Sequence, residues 1–246
     1  MPRTIEVYPD RPALVQRAQA LIVEQIQTTL EGGDRFTIAL AGGGTPKPLY
    51  AALAAENLPW EQLHIFWGDE RYVTPDHADS NQRMARQAWL DHVPIPAANI
   101  HPMPTQASDP AQDAVMHESQ LQDFFQTQPG QWPQFDLILL GMGDDAHTAS
   151  LFPGTTALQI CDRLVTVGNK GESQRLTFTV PLINAAKRVM FLVSGAGKQG
   201  ALEKVFAPEA DNSQYPSRFI QPQSGEMIWL LDAPAAATLP QDLYQG

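Results

Sequence analysis

Five stretches of this chain are apolar at nearly every position: FTIALA (36–41), LHIFW (63–67), FDLILL (135–140), RVMFLV (188–193) and EMIWLL (226–231). A strand with one wet face alternates apolar and polar residues, so an unbroken run fits a strand covered on both sides. Helical patterns separate these runs. After Asp10 and Pro12, residues Leu14, Val15, Ala18, Leu21, Ile22 and Ile26 recur at helical spacing until Gly32-Gly33 stops them. PKPLYAALAAE, NQRMARQAWLDHV (81–93), about 111–127 and GAGKQGALEKVF (195–206) read the same way. TIEVY (4–8) reads as a further strand, and RLVTV (163–167) with RLTFTV (175–180) as a hairpin or sheet edge. Residues 94–110 and 207–225 are Pro-rich loops. This order predicts one doubly wound α/β domain over 1–246, with a mostly parallel sheet and helices on both faces.

Composition narrows the function. Sixteen basic against 27 acidic residues give a formal charge of −11, a field that repels nucleic acid and anionic membranes. An anionic substrate would need a local basic pocket. The single cysteine, Cys161, excludes an intramolecular disulfide and a cysteine-based metal site. No signal peptide or membrane-length apolar run is visible, so a cytoplasmic protein is expected, without nucleic-acid or membrane partners and as a monomer or small homo-oligomer.

Ligands of open α/β sheets bind beyond the carboxyl ends of the strands. Here four strand candidates end in glycines and polar groups: Gly42-Gly43-Gly44-Thr45, Gly68-Asp69-Glu70-Arg71, Gly141 to His147 in GMGDDAH, and Ser194-Gly195-Ala196-Gly197-Lys198. GGGTP before a helix suits a phosphate, through free N–H groups and the positive helix end; alternatively it is a turn with Thr45 as cap and Pro46 opening the helix. Arg71 can grip an anion with two parallel bonds, with Asp69 and Glu70 holding it; alternatively the three are a surface ion-pair cluster. Lys198 at a helix start is misplaced for the dipole unless an anion lies between. His147 is a candidate general base, with Asp144 or Asp145 to orient it. Asp144, Asp145 and His147 match no metal-ligand spacing, and no metal is expected. Gly195, Gly197 and Gly200 spell G-x-G-x-x-G, but the second strand ending in an acid, expected of a dinucleotide fold, is missing.

Taken together, AGGGTPKPLYAAL, WGDERYVTPDHADSNQRMA, FDLILLGMGDDAHTASLFPGT, RLTFTVPLIN and FLVSGAGK resemble, in order and over nearly the whole chain, the 6-phosphogluconolactonase family of the glucosamine-6-phosphate deaminase/isomerase fold group. The sibling deaminase pattern D-G-H-I-A-F-N-E-P is replaced here by TASLFPG. The resemblance implies hydrolysis of 6-phospho-D-glucono-1,5-lactone in the oxidative pentose phosphate pathway, without cofactor or metal. Gly43, Gly44, Thr45, Asp69, Arg71, Arg175 and Lys198 would bind the substrate. His147, with Asp145 shaping its loop, would activate water. Ser150 and Ser194 are rival nucleophiles, but neither stands in a G-x-S-x-G elbow. One departure matters: the family's D-G-H reads Asp145-Ala146-His147. An alanine held at positive φ costs roughly 1–2 kcal/mol, and its methyl could intrude on substrate. The alternatives are a non-catalytic sugar-phosphate-binding protein and a sugar-phosphate isomerase or deaminase.

Overall fold

A computed structural model describes residues 3–105 and 108–244. In chain order the elements are β1 (Arg3–Tyr8), α1 (Arg11–Gly32), β2 (Phe36–Leu40), α2 (Lys47–Leu53), β3 (Leu63–Trp67), β4 (Asp69–Arg71), α3 (Asn81–Ala88) and α4 (Pro110–Phe125). They continue with β5 (Leu137–Leu140), β6 (Val165–Lys170), β7 (Ser173–Phe178), α5 (Val180–Asn184), β8 (Arg188–Val193), α6 (Gln199–Phe206), β9 (Glu226–Asp232) and α7 (Ala233–Ala236). Residues 106–107 of the first Pro-rich stretch lie outside the described residues.

Six strands form a wholly parallel sheet in the order β1-β9-β8-β5-β2-β3. The unbroken apolar runs have the expected cause. Every residue of β2 and β5 is buried, because side chains of both faces pack under helices. One core joins Leu14, Ile22, Tyr50 and Trp89 from the α1–α3 side to Leu40, Trp67 and Leu139. The other joins Leu121, Leu182, Leu202 and Ala235 from the α4–α7 side to Phe66, Leu140 and Phe191. Asp10 caps α1 by accepting from the Ala13 N–H at 2.9 Å, and Ser80 caps α3 by accepting from the Arg83 N–H.

A second, three-stranded antiparallel sheet, β4-β7-β6, stands beside the first. The expected hairpin is present with a tighter turn, Gly171 sitting at φ 59° between β6 and β7. The strand β4 corrects the sequence reading, which took Asp-Glu-Arg as loop. The chain crosses between sheets at Gly68, whose N–H donates to Leu40 (3.0 Å) and whose carbonyl accepts from Phe178 (2.8 Å). Asp69 and Glu70 are then buried, so they are not a surface ion-pair cluster. Helix α3 also stops earlier than its pattern suggests. Trp89, at φ −144° and ψ −67°, leaves the helix, and Leu90–His92 form a separate 3-10 turn. Thr45 does not cap α2; no side-chain cap is made there, and the helix begins at Lys47.

Candidate active site

The carboxyl ends of the parallel strands meet the edge of the small sheet around a cavity of about 240 Å³. Eight of the nine residues expected at the site line it: Gly43, Gly44, Thr45, Asp69, Arg71, His147, Arg175 and Lys198. Asp145 does not line it but holds the histidine that does. A larger cavity, about 1040 Å³, lies at the amino ends of β1 and β9 near Arg3 and Met227, on the opposite edge from this chemistry.

His147 follows β5 in a loop built to hold it. Its Nδ1 lies 2.5 Å from Asp145 Oδ1, which also accepts from the His147 backbone N–H at 3.1 Å. An ionised carboxylate only accepts, so Nδ1 carries a proton, and in the neutral imidazole Nε2 is the nitrogen left bare. Burial raises the Asp145 carboxyl, but the bonds from the His147 ring and N–H outweigh it and hold it below its ordinary value. The Phe152 ring packs on the imidazole, centroids 4.3 Å apart. Gly143 is the tight point. A Cβ there would fall 2.0 Å from His147 Nδ1, so the histidine can take this position only above a glycine.

The departure at Ala146 is resolved in two parts. Its φ is 61°, so the left-handed conformation that favours glycine is real, and strain of about 1 kcal/mol is carried there. The side chain is fully buried in the apolar core and does not line the cavity, so the methyl does not intrude on substrate. Ser217 anchors this turn, donating from N (2.9 Å) and Oγ (2.8 Å) to the Ala146 carbonyl.

Three cations converge on the other side. Arg71 and Arg175 are register partners across β4 and β7, and Lys198 precedes α6. Arg71 is not held by Asp69 and Glu70 as expected. Its Nη1 donates to the Asp79 carbonyl at 2.7 Å. Glu70 serves α3 instead, accepting from the N–H groups of Arg71, Asn81 and Gln82; burial raises its carboxyl in spite of these donors. Arg175 stacks over Phe152 at 5.3 Å, and burial lowers the pKa of its guanidinium. Both guanidinium Nε groups, of Arg71 and Arg175, are buried without a hydrogen-bond partner. A buried N–H without an acceptor is costly; both arginines also line the cavity, where their guanidinium groups suit an anion. The loop itself offers backbone at close range: Gly43 sits at φ 90° with open space beside it.

Several candidates fall away. Ser150 is fully buried and donates to Asp69 Oδ2 at 2.6 Å, and Ser194 donates to Asp232, so neither hydroxyl is poised as a nucleophile. Two residues were missed. Arg11 donates through Nη2 to the Gly44 carbonyl and holds the glycine loop from 33 residues away in sequence. Asn81 packs its amide against Gly42 and lines the cavity. Nothing local marks Arg11 as a site residue, whereas Asn81 belongs to the WGDERYVTPDHADSNQRMA stretch that carries the resemblance.

This arrangement defines a class: doubly wound α/β proteins with a basic cavity at the carboxyl edge, beside a His–Asp pair. The particular family follows from comparison. Residues 9–229 match the family described as glucosamine-6-phosphate isomerases/6-phosphogluconolactonase, and the chain belongs to it. It is 60% identical to a 6-phosphogluconolactonase of Nostoc sp. over 97% of this chain and 99% of that one. It is 61% identical to one of Synechocystis sp. over 96% and 98%. Among solved structures, the 6-phosphogluconolactonase of Trypanosoma cruzi superposes with a TM-score of 0.87 at 32% identity, covering 97% of each chain.

Proposed function

We propose that this protein hydrolyses 6-phospho-D-glucono-1,5-lactone to 6-phosphogluconate, the lactonase step of the oxidative pentose phosphate pathway, with water activated by His147. One observation carries the reading. A histidine with its Nδ1 fixed by a carboxylate borders the same small cavity as the cations Arg71, Arg175 and Lys198. The first is what proton transfer needs, and the second is what a phosphate pairs with.

In this mechanism the phosphate lies among Gly43, Gly44, Thr45, Arg71, Arg175 and Lys198. The lactone carbonyl carbon, C1, is then presented toward His147. Water attacks C1 as Nε2 takes its proton. Asp145 steadies the imidazolium that results. The tetrahedral oxyanion collapses, the C1–ring-oxygen bond breaks, and His147 returns the proton to the leaving oxygen. Attack by water rather than by a serine follows from the engaged state of Ser150 and Ser194. Asp69, on the cavity wall and bonded to Ser150, is suited to accept a substrate hydroxyl.

The small sheet supplies Arg71 and Arg175 to the edge of the large one, so we read residues 1–246 as one domain serving one site. Among the described residues no helix is long and apolar enough to cross a membrane. We place the protein in the cytoplasm, as a monomer or small homo-oligomer. Lactone generated from glucose-6-phosphate in situ, with acid release corrected for spontaneous hydrolysis, tests the reading. Clear acceleration is expected, and a rate equal to the uncatalysed one from folded protein would overturn it.

A further inference from the structure

The two adjacent acids of GMGDDAH point to different partners. Asp145 takes His147, whereas Asp144 takes Lys198, its Oδ1 lying 2.5 Å from Nζ. Their settings differ too. Lys198 is mostly covered, at 22% side-chain exposure, and lines the cavity; Asp144 is 75% exposed and does not. The pair therefore joins a mostly covered cation of the site to a solvent-exposed carboxylate at its rim. This cation is the one whose place at the start of α6 has no local electrostatic reason.

We propose that Asp144 is an exchangeable counterion that occupies Lys198 in the empty site and competes with the anionic groups of ligand for it. The proposal rests on the lactonase reading for the identity of the ligand but not for the charge argument. Asp144 is not a catalytic residue; it acts through Lys198. Without an anion it offsets the cation. When a phosphate enters, Lys198 redirects its donors to phosphate oxygen, and Asp144 returns to water at small cost because it is already largely solvated. Its negative charge stays at the rim, where it opposes a more highly charged ligand more strongly. Hydrolysis turns a lactone bearing a phosphate dianion into a product bearing that phosphate and a new carboxylate, with one proton released. Asp144 thus weakens product more than substrate and favours release.

The test is Asp144→Asn, with Asp144→Glu as the charge-retaining control and thermal melting to verify folding. Affinities for inorganic phosphate and for 6-phosphogluconate are measured by calorimetry, alongside lactone KM and kcat, at low and high salt. Exposed ion pairs are weak, so Asp144→Asn should tighten phosphate binding about 2- to 5-fold at low salt, with the gain fading at high salt. The 6-phosphogluconate Kd should fall by a larger factor than KM, and Asp144→Glu should behave as wild type. Unchanged or weakened binding in Asp144→Asn would overturn the proposal and make Asp144 an anchor that positions Lys198. The phosphate measurement stands apart from turnover. Tighter phosphate binding in a protein whose wild type does not hydrolyse lactone would keep the counterion and sink the lactonase reading.

Discussion

Two groups of histidines share this fold and stand in opposite settings. His147 sits on a rim loop, fixed by a carboxylate and open to a cavity. His64, His101 and His117 sit between β3 and α4, and among the described residues no carboxylate is bonded to their rings. His64 Nδ1 meets His101 Nε2 at 3.1 Å, and His101 stacks on Phe66 at 4.4 Å between centroids. His117 is 1% exposed, with Nδ1 on Gln120 Oε1 at 3.0 Å and no partner for Nε2. Burial pushes His101 and His117 down to about 4; the charges of His64 and His117 add to this at His101, while the Gln120 bond opposes it at His117. The lesson is that an imidazole becomes a usable base through a partner that fixes its tautomer and a path to substrate. Without these it is a flat, neutral core filler.

The difference can be broken in four ways. Replacing His147 by Ala should cost kcat on the order of 10²–10⁴-fold, read by lactone turnover, whereas the same change at His64 should leave kcat within a few-fold. Gly143→Ala should be the next largest. Its Cβ must displace the His147 ring, and a shift of about 1 Å can cost roughly 100-fold; turnover near wild type would show that the ring position is not critical.

Acid should separate the two groups by stability. The folded-state values of His101 and His117 lie below the ordinary 6.5, so the unfolded chain binds more protons between those limits. Stability is then full above about pH 6.5, declines as pH falls, and loses this contribution below about 4. Urea midpoints against pH should show this slope, and His117→Leu should flatten it. An unaltered slope would mean that His117 does not titrate with unfolding. The smallest effect is expected at Ala146→Gly. Relief of about 1 kcal/mol of left-handed strain is set against about 0.8 kcal/mol for a buried methyl. The melting temperature should therefore move little, and kcat should stay within two-fold.

Much of this was legible in the residues. The apolar runs gave the parallel sheet because burial on both faces removes alternation. The glycine and charge clusters marked the carboxyl edge because a structural turn has no use for such groups four times over. What was hidden depended on partners distant in sequence. Asp69-Glu70-Arg71 reads as loop until β7 pairs with it, and Glu70 reads as an arginine clamp until α3 brings its N–H groups. Arg11 reads as an ordinary first-turn residue until Gly44 meets it. The division of Asp144 and Asp145 between Lys198 and His147 needs both loops in place.

His147 is proposed to move a proton, not merely to shape the cavity. The most direct measurement is lactone turnover and 6-phosphogluconate affinity on the same preparation of His147→Ala. Proton transfer by His147 requires that kcat collapse while Kd for 6-phosphogluconate stays within a few-fold of wild type. Near-normal turnover, or a loss of binding that matches the loss of turnover, would contradict it.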